Sequence, residues 1–136
     1  MDFSVEVRPG DRCALVGLDG PFVLQTLEQV CVQIINHPLW QSDFQIIVII
    51  GSQADFSEVT LAKLKEVQGF IRGWNAQYRT GLNPRTAIVC SDDFKRVMAD
   101  LWLAMVGEDW PIELGIFTSV QDALTWCARP ADVGQG

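Results

Sequence analysis

The stretch 44-FQIIVII-50 closes on an unbroken run of β-branched hydrophobes, Ile46 to Ile50. A strand wetted on one side alternates apolar with polar residues, and this one does not. It reads as a central strand covered on both faces, the environment of a parallel sheet flanked by helices. The flanking segments supply the helices. Upstream, Gly20-Pro21 opens a helix whose Val23, Leu24, Leu27, Val30, Cys31, Ile34 and Ile35 share one face, with Gln25, Gln29, Gln33 and Asn36 on the other. Downstream, Asp55 and Glu58 suit a helix N-terminus. Beyond them Leu64, Val67, Ile71, Trp74 and Tyr78 gather on about a third of the circumference, and Gly81 and Pro84 end the segment.

The same reading extends to both ends of the chain. Phe3, Val5 and Val7 alternate with polar residues, Pro9-Gly10-Asp11 is turn chemistry, and Cys13 to Leu18 makes a second strand, so the chain opens with a hairpin. Ala87 to Cys90 is a short buried strand, Asp92-Asp93 starts a third helix, and Ile112 to Phe117 is the last strand. In 116-IFTSVQDALTWC-127, Ser119 is placed to cap a final helix with Val120, Ala123, Leu124 and Cys127 on its inner face. Trp126 stands at the edge of that stripe, where a large apolar ring with one N–H suits a seam between elements more than the lining of a pocket. The predicted fold class is α/β: the order β-β-α-β-α-β-α-β-α, a mixed but mostly parallel sheet, helices packed on it. One domain is expected over residues 1–128, with 129–136 a flexible C-terminal tail.

Composition narrows the possible roles. Hydrophobic residues make up 49% of 136 and charged residues 20%, enough apolar material for one sizeable core. The formal charge of −7 argues against a nucleic acid or an anionic membrane surface as partner. Lys63, Lys65, Arg72, Arg79 and Arg85 give the middle a basic lean, read as a solvated helix face rather than an anion site. No apolar run approaches the ~20 residues of a membrane span, and no signal peptide is visible, so a cytoplasmic location is expected. The cysteines Cys13, Cys31, Cys90 and Cys127 are scattered through apolar stretches, which suits reduced, buried thiols. His37, the only histidine, precedes Pro38 at a helix end, so no metal site is expected.

Three places resemble the SpoIIAA-like proteins, small bacterial domains related to STAS domains and to the CRAL-TRIO fold. Phe117-Thr118-Ser119 followed by Ala123-Leu124-Thr125-Trp126-Cys127 is similar to that family's closing strand, helix cap and Ala-Leu-x-Trp-Leu. Ala87-Ile88-Val89 with Ser91-Asp92-Asp93-Phe94 is similar to its fourth strand and the loop after it. The helix that begins at Gly20 and ends near Pro38 and Trp40 is similar to its first crossover. The similarity runs from about Arg12 to Cys127 and implies a STAS-like fold. The family commonly carries an acidic residue after the third strand, where this chain has Gly51-Ser52-Gln53, and Cys127 replaces the usual Leu.

Chemistry is harder to find. No Ser-His or Cys-His pair is visible, neither a G-x-G-x-x-G nor a P-loop lysine is present, and Asp92-Asp93 is explained by a helix N-terminus. No catalytic residue, cofactor or metal is therefore expected. Ser57 lies about where STAS proteins that antagonise anti-sigma factors are phosphorylated, although their Asp-Ser-Ser/Thr-Gly motif is absent, and a helix-capping role is the simpler reading. On the third helix Phe94, Met98, Leu101 and Met105 make an inner stripe. Trp102 and Val106 widen it, Leu103 points away, and Trp110 follows. Trp102, Leu103, Val106 and Trp110 are thus candidates for simple burial, a homodimer contact or an apolar ligand cleft. The expected function is a non-catalytic STAS-like module that binds a protein partner or an apolar small molecule. A phospho-switched regulator is the alternative, and an enzyme the third reading.

Overall fold

Among the described residues five strands form one sheet in strictly sequential order: β1 (Asp2–Arg8), β2 (Cys13–Asp19), β3 (Gln45–Ile50), β4 (Arg85–Val89) and β5 (Glu113–Phe117). The computed structural model describes residues 2–79, 84–93, 97, 100 and 112–128. β1 and β2 pair antiparallel around Val5↔Val16, and β2-β3, β3-β4 and β4-β5 are all parallel. The expected α/β class, with its mixed but mostly parallel sheet, is what the chain adopts. Among the helices described from end to end, three accompany the sheet: α1 (Leu24–Ile35), α2 (Leu61–Tyr78) and α3 (Val120–Cys127).

The 44-FQIIVII-50 stretch forms the middle strand, and its pleat sends successive residues to opposite layers. Ile46 packs with Val16, Leu18, Ile34 and Trp74 beneath α1 and α2. Ile47 packs with Leu15, Ala87 and Ala123 beneath α3. The sequential strand order explains the layering. Crossovers of one hand that advance in one direction across a sheet lay their helices on one face. α1 and α2 therefore share a side, and α3, which follows the last strand, takes the other. Each face needs its own apolar row, which is why β3 cannot alternate.

Element ends differ from the sequence expectation in two informative places. The first helix starts at Leu24, not at Gly20-Pro21, because the intervening residues are held extended against the loop after β3. Phe22 N–H donates to Asp55 O at 2.8 Å, Asp55 N–H donates to Gly20 O at 2.8 Å, and Gly20 takes a left-handed φ of 83° to allow it. The second helix starts at Leu61, not beside Asp55 and Glu58. Its N-cap is Thr60, whose side-chain oxygen accepts from Lys63 N–H at 3.2 Å. Ser119 caps α3 as expected, accepting from Asp122 N–H at 3.1 Å. Asp92, Asp93, Val97 and Asp100 are helical, where the third helix is predicted.

Candidate functional site

The two faces of the sheet are filled differently. Beneath α3 the packing is close. Trp126 meets Phe117 with ring centroids 5.3 Å apart, over Gly115, where a Cβ would fall 2.7 Å from the Phe117 ring and 3.3 Å from that of Trp126. Arg85 completes this seam. Its guanidinium lies 5.5 Å from the Trp126 ring, donates to Trp126 O at 3.0 Å and pairs with Glu113 at 3.4 Å. Trp126 thus packs between the sheet and a buried arginine that also serves the C-terminal carbonyls of α3.

Beneath α1 and α2 lies a cavity of about 190 Å³. Its floor is the apolar row of the sheet, including Val16, Ile46, Val48 and Ile88, and its walls include Val30 and Ile34 of α1 and Val67 and Ile71 of α2. The two ends differ in chemistry. Toward the C-terminal ends of the strands stand Phe22 and Phe56, stacked at 5.2 Å. Toward the strand starts stand Trp74, Asn75, Arg79 and Thr86. Leu64 and Asn75, both lining residues, are separated by ~16 Å along α2 at the rise of an ideal helix. A second cavity of about 70 Å³ shares Phe22, Val59 and Val67 with the first and so adjoins its aromatic end.

The polar end is built on Arg79, only 6% exposed. Its Nη1 donates to Asn75 Oδ1 at 3.2 Å and to Thr86 Oγ1 at 2.9 Å. Its Nη2 donates to Gln45 Oε1 at 3.2 Å and to the Arg85 carbonyl at 2.6 Å. All four acceptors are neutral. Burial accordingly lowers the Arg79 pKa to about 10. Two donors here, Arg79 Nε and Trp74 Nε1, are buried without any hydrogen-bond acceptor.

Arg79 and Arg85, taken from the sequence as part of a solvated basic face, are therefore both buried, at 6% and 5% exposure. Lys63 and Lys65 are exposed as that reading expects. The clue was spacing. Arg79 follows Ile71 and Asn75 at successive intervals of four, so it extends the inward stripe of α2 rather than its wet face.

Ser57 is exposed in the turn before α2, three residues ahead of the true cap. Its N–H donates to Asp55 Oδ1 at 2.9 Å. That backbone bond and a second from the Ser57 side chain hold the Asp55 carboxyl below its usual range. The serine expected at the start of the helix thus lies in the turn just ahead of α2, beside a carboxylate. Trp102, Leu103, Val106 and Trp110 lie outside the described residues. His37 Nδ1 accepts from Leu39 N–H at 3.1 Å, closing the turn after α1. Among the described residues no group of His, Cys, Asp and Glu could hold a metal ion, and no helix is long and apolar enough to cross a membrane. Asp19, at the end of β2, ties down the loop after β3: its Oδ1 accepts from Gln53 N–H at 2.8 Å and from Gly20 N–H at 3.1 Å. No family model, curated protein or solved structure matches this chain.

Proposed function

We propose that this chain is a non-catalytic module that binds an apolar small molecule in the cavity beneath α1 and α2. The observation that carries the reading is the volume of about 190 Å³, partly open to the surface and lined almost wholly by apolar side chains. Native interiors hold few voids larger than a water molecule. An engineered apolar cavity of ~150 Å³ already takes benzene. An apolar pocket of this size between two helices and a sheet is the kind of place where small molecules bind.

The residues lining it favour holding over turnover. Cys31 is the thiol on the cavity wall, and burial pushes its pKa up to about 12, which keeps it protonated and a poor nucleophile. The test is a titration with 1-octanol followed by tryptophan fluorescence, since Trp74 lines the cavity, alongside native mass spectrometry of freshly purified protein. Saturable binding with a one-to-one adduct is expected. Fluorescence that responds only linearly, with no saturation at the solubility limit of the alcohol, would remove the proposal.

A further inference from the structure

Resting on the binding site just proposed, we infer that its ligand is a monocarboxylic acid, with the carboxylate at Arg79 and the apolar body running toward Phe22 and Phe56. The cavity is nearly all apolar, yet one end carries a cation that is 94% buried, taking its exposure of 6% from the whole. Every acceptor that Arg79 has found is a neutral oxygen, from Asn75, Thr86, Gln45 and the Arg85 carbonyl. A buried charge is ordinarily balanced by an opposite one. Here the balancing anion is not among those partners. The guanidinium Nε remains without an acceptor, and so does the indole Nε1 of Trp74, which lines the same cavity and is 9% exposed. Two orphaned donors and one unbalanced positive charge call for an acceptor-rich anion.

The class of anion follows from charge and size. One guanidinium balances one negative charge, and with its four Nη hydrogens already donated it is Nε–H that remains for a carboxylate oxygen. Phosphate esters would bring up to two charges against a single cation. The body must be apolar, because Val48, Ile88, Val67 and Ile71 offer it nothing polar. Its bulk is bounded by the volume of about 190 Å³, somewhat more than the ~150 Å³ that accommodates benzene. A medium-length aliphatic chain or a single ring meets both limits.

The experiment compares octanoate with 1-octanol, which share a tail and differ in the head, by calorimetric and fluorescence titration of the full chain. At pH 7 octanoate is expected to bind at least tenfold more tightly. The advantage should vanish as the pH falls through the acid's own ionisation at roughly pH 4–5, because Arg79 stays charged throughout that range. In Arg79→Met, which keeps the aliphatic stem, the ratio of acid to alcohol affinity should approach one. Equal binding of acid and alcohol by the wild type would overturn the carboxylate assignment and leave the apolar site standing. Binding of neither would overturn both. A tenfold preference surviving in Arg79→Met would show that another group holds the head. Should that variant fail to fold, the wild-type pH series decides, since a preference that persists below pH 4 cannot come from charge pairing. Trp74→Phe supplies a second variant, removing the indole donor while keeping a ring, and is expected to weaken octanoate more than octanol.

Discussion

At the scale of single residues, burial has been imposed on groups that usually face water, and it sets how the protein responds to pH. Burial pushes the Cys13 thiol from its ordinary 9.0 to about 11, Cys31 to about 12 and Cys127 to about 11. In the unfolded chain thiols ionise from ~pH 8.5 upward. Over that range the unfolded state therefore holds fewer protons than the folded one, and stability falls as pH rises. Arg79 acts in the opposite sense. Its folded pKa is lowered to about 10, so its charge costs stability below that pH, and the cost lifts as pH climbs past it. The thiols thus act alone between ~pH 8.5 and the onset of the Arg79 effect. The urea midpoint is expected to fall from pH 8 to pH 10, and Cys31→Ala should shallow the decline. A flat profile would mean that the thiols are more accessible than their burial indicates. A second expectation concerns Gly115. A methyl group there would crowd the Phe117 and Trp126 rings at 2.7 and 3.3 Å, so Gly115→Ala should cost about 1–3 kcal/mol in urea unfolding. A neutral result would show that the Phe117 ring swings clear.

At the scale of elements, boundaries are set by the loops that pin them. The stretch between β3 and α2 has acidic residues and a serine, all plausible helix starters, yet Asp55 is occupied in pairing with Gly20 and Phe22 and in holding Ser57. The helix can begin only after that pairing ends, and Thr60 then caps it. Thr60→Ala is accordingly expected to cost about 1 kcal/mol. Ser57→Ala, at an exposed turn position, should stay within ~0.5 kcal/mol of wild type. Chemical denaturation of the pair reads the boundary directly, and a larger loss at Ser57 would move the helix start upstream.

At the scale of the whole molecule, the two faces of the sheet are filled differently. The α3 face is closed by Trp126, Phe117 and Arg85. The α1–α2 face retains a cavity whose floor includes Val48 at the middle of β3. Filling that space should trade binding for stability. Val48→Phe is expected to raise the unfolding free energy by ~0.5–2 kcal/mol and to abolish octanol and octanoate binding together. A variant that gains stability and still binds would place the ligand elsewhere on the chain.

Much of this architecture was legible because hydrophobic period is a local property. The β-branched run from Ile46 to Ile50 specified a strand buried on both faces, the stripes from Leu24 and Leu64 onward specified two amphipathic helices, and Ser119 marked the last cap before any contact was known. All four cysteines are buried and none is in a disulfide, as their apolar neighbours implied. The cavity was not legible, since an empty volume belongs to no residue and arises only when α1 and α2 come to rest on the same face of the sheet. Arg79 and Arg85 were misread for a related reason. An arginine looks the same in sequence whether it faces water or is enclosed, and only the tertiary structure brought Asn75, Thr86, Gln45 and the Arg85 carbonyl around the one and Glu113 with Trp126 around the other. Local pattern determined which faces turn inward. The meeting of those faces, with its unfilled space and its unbalanced charge, was decided by packing between residues far apart in the chain.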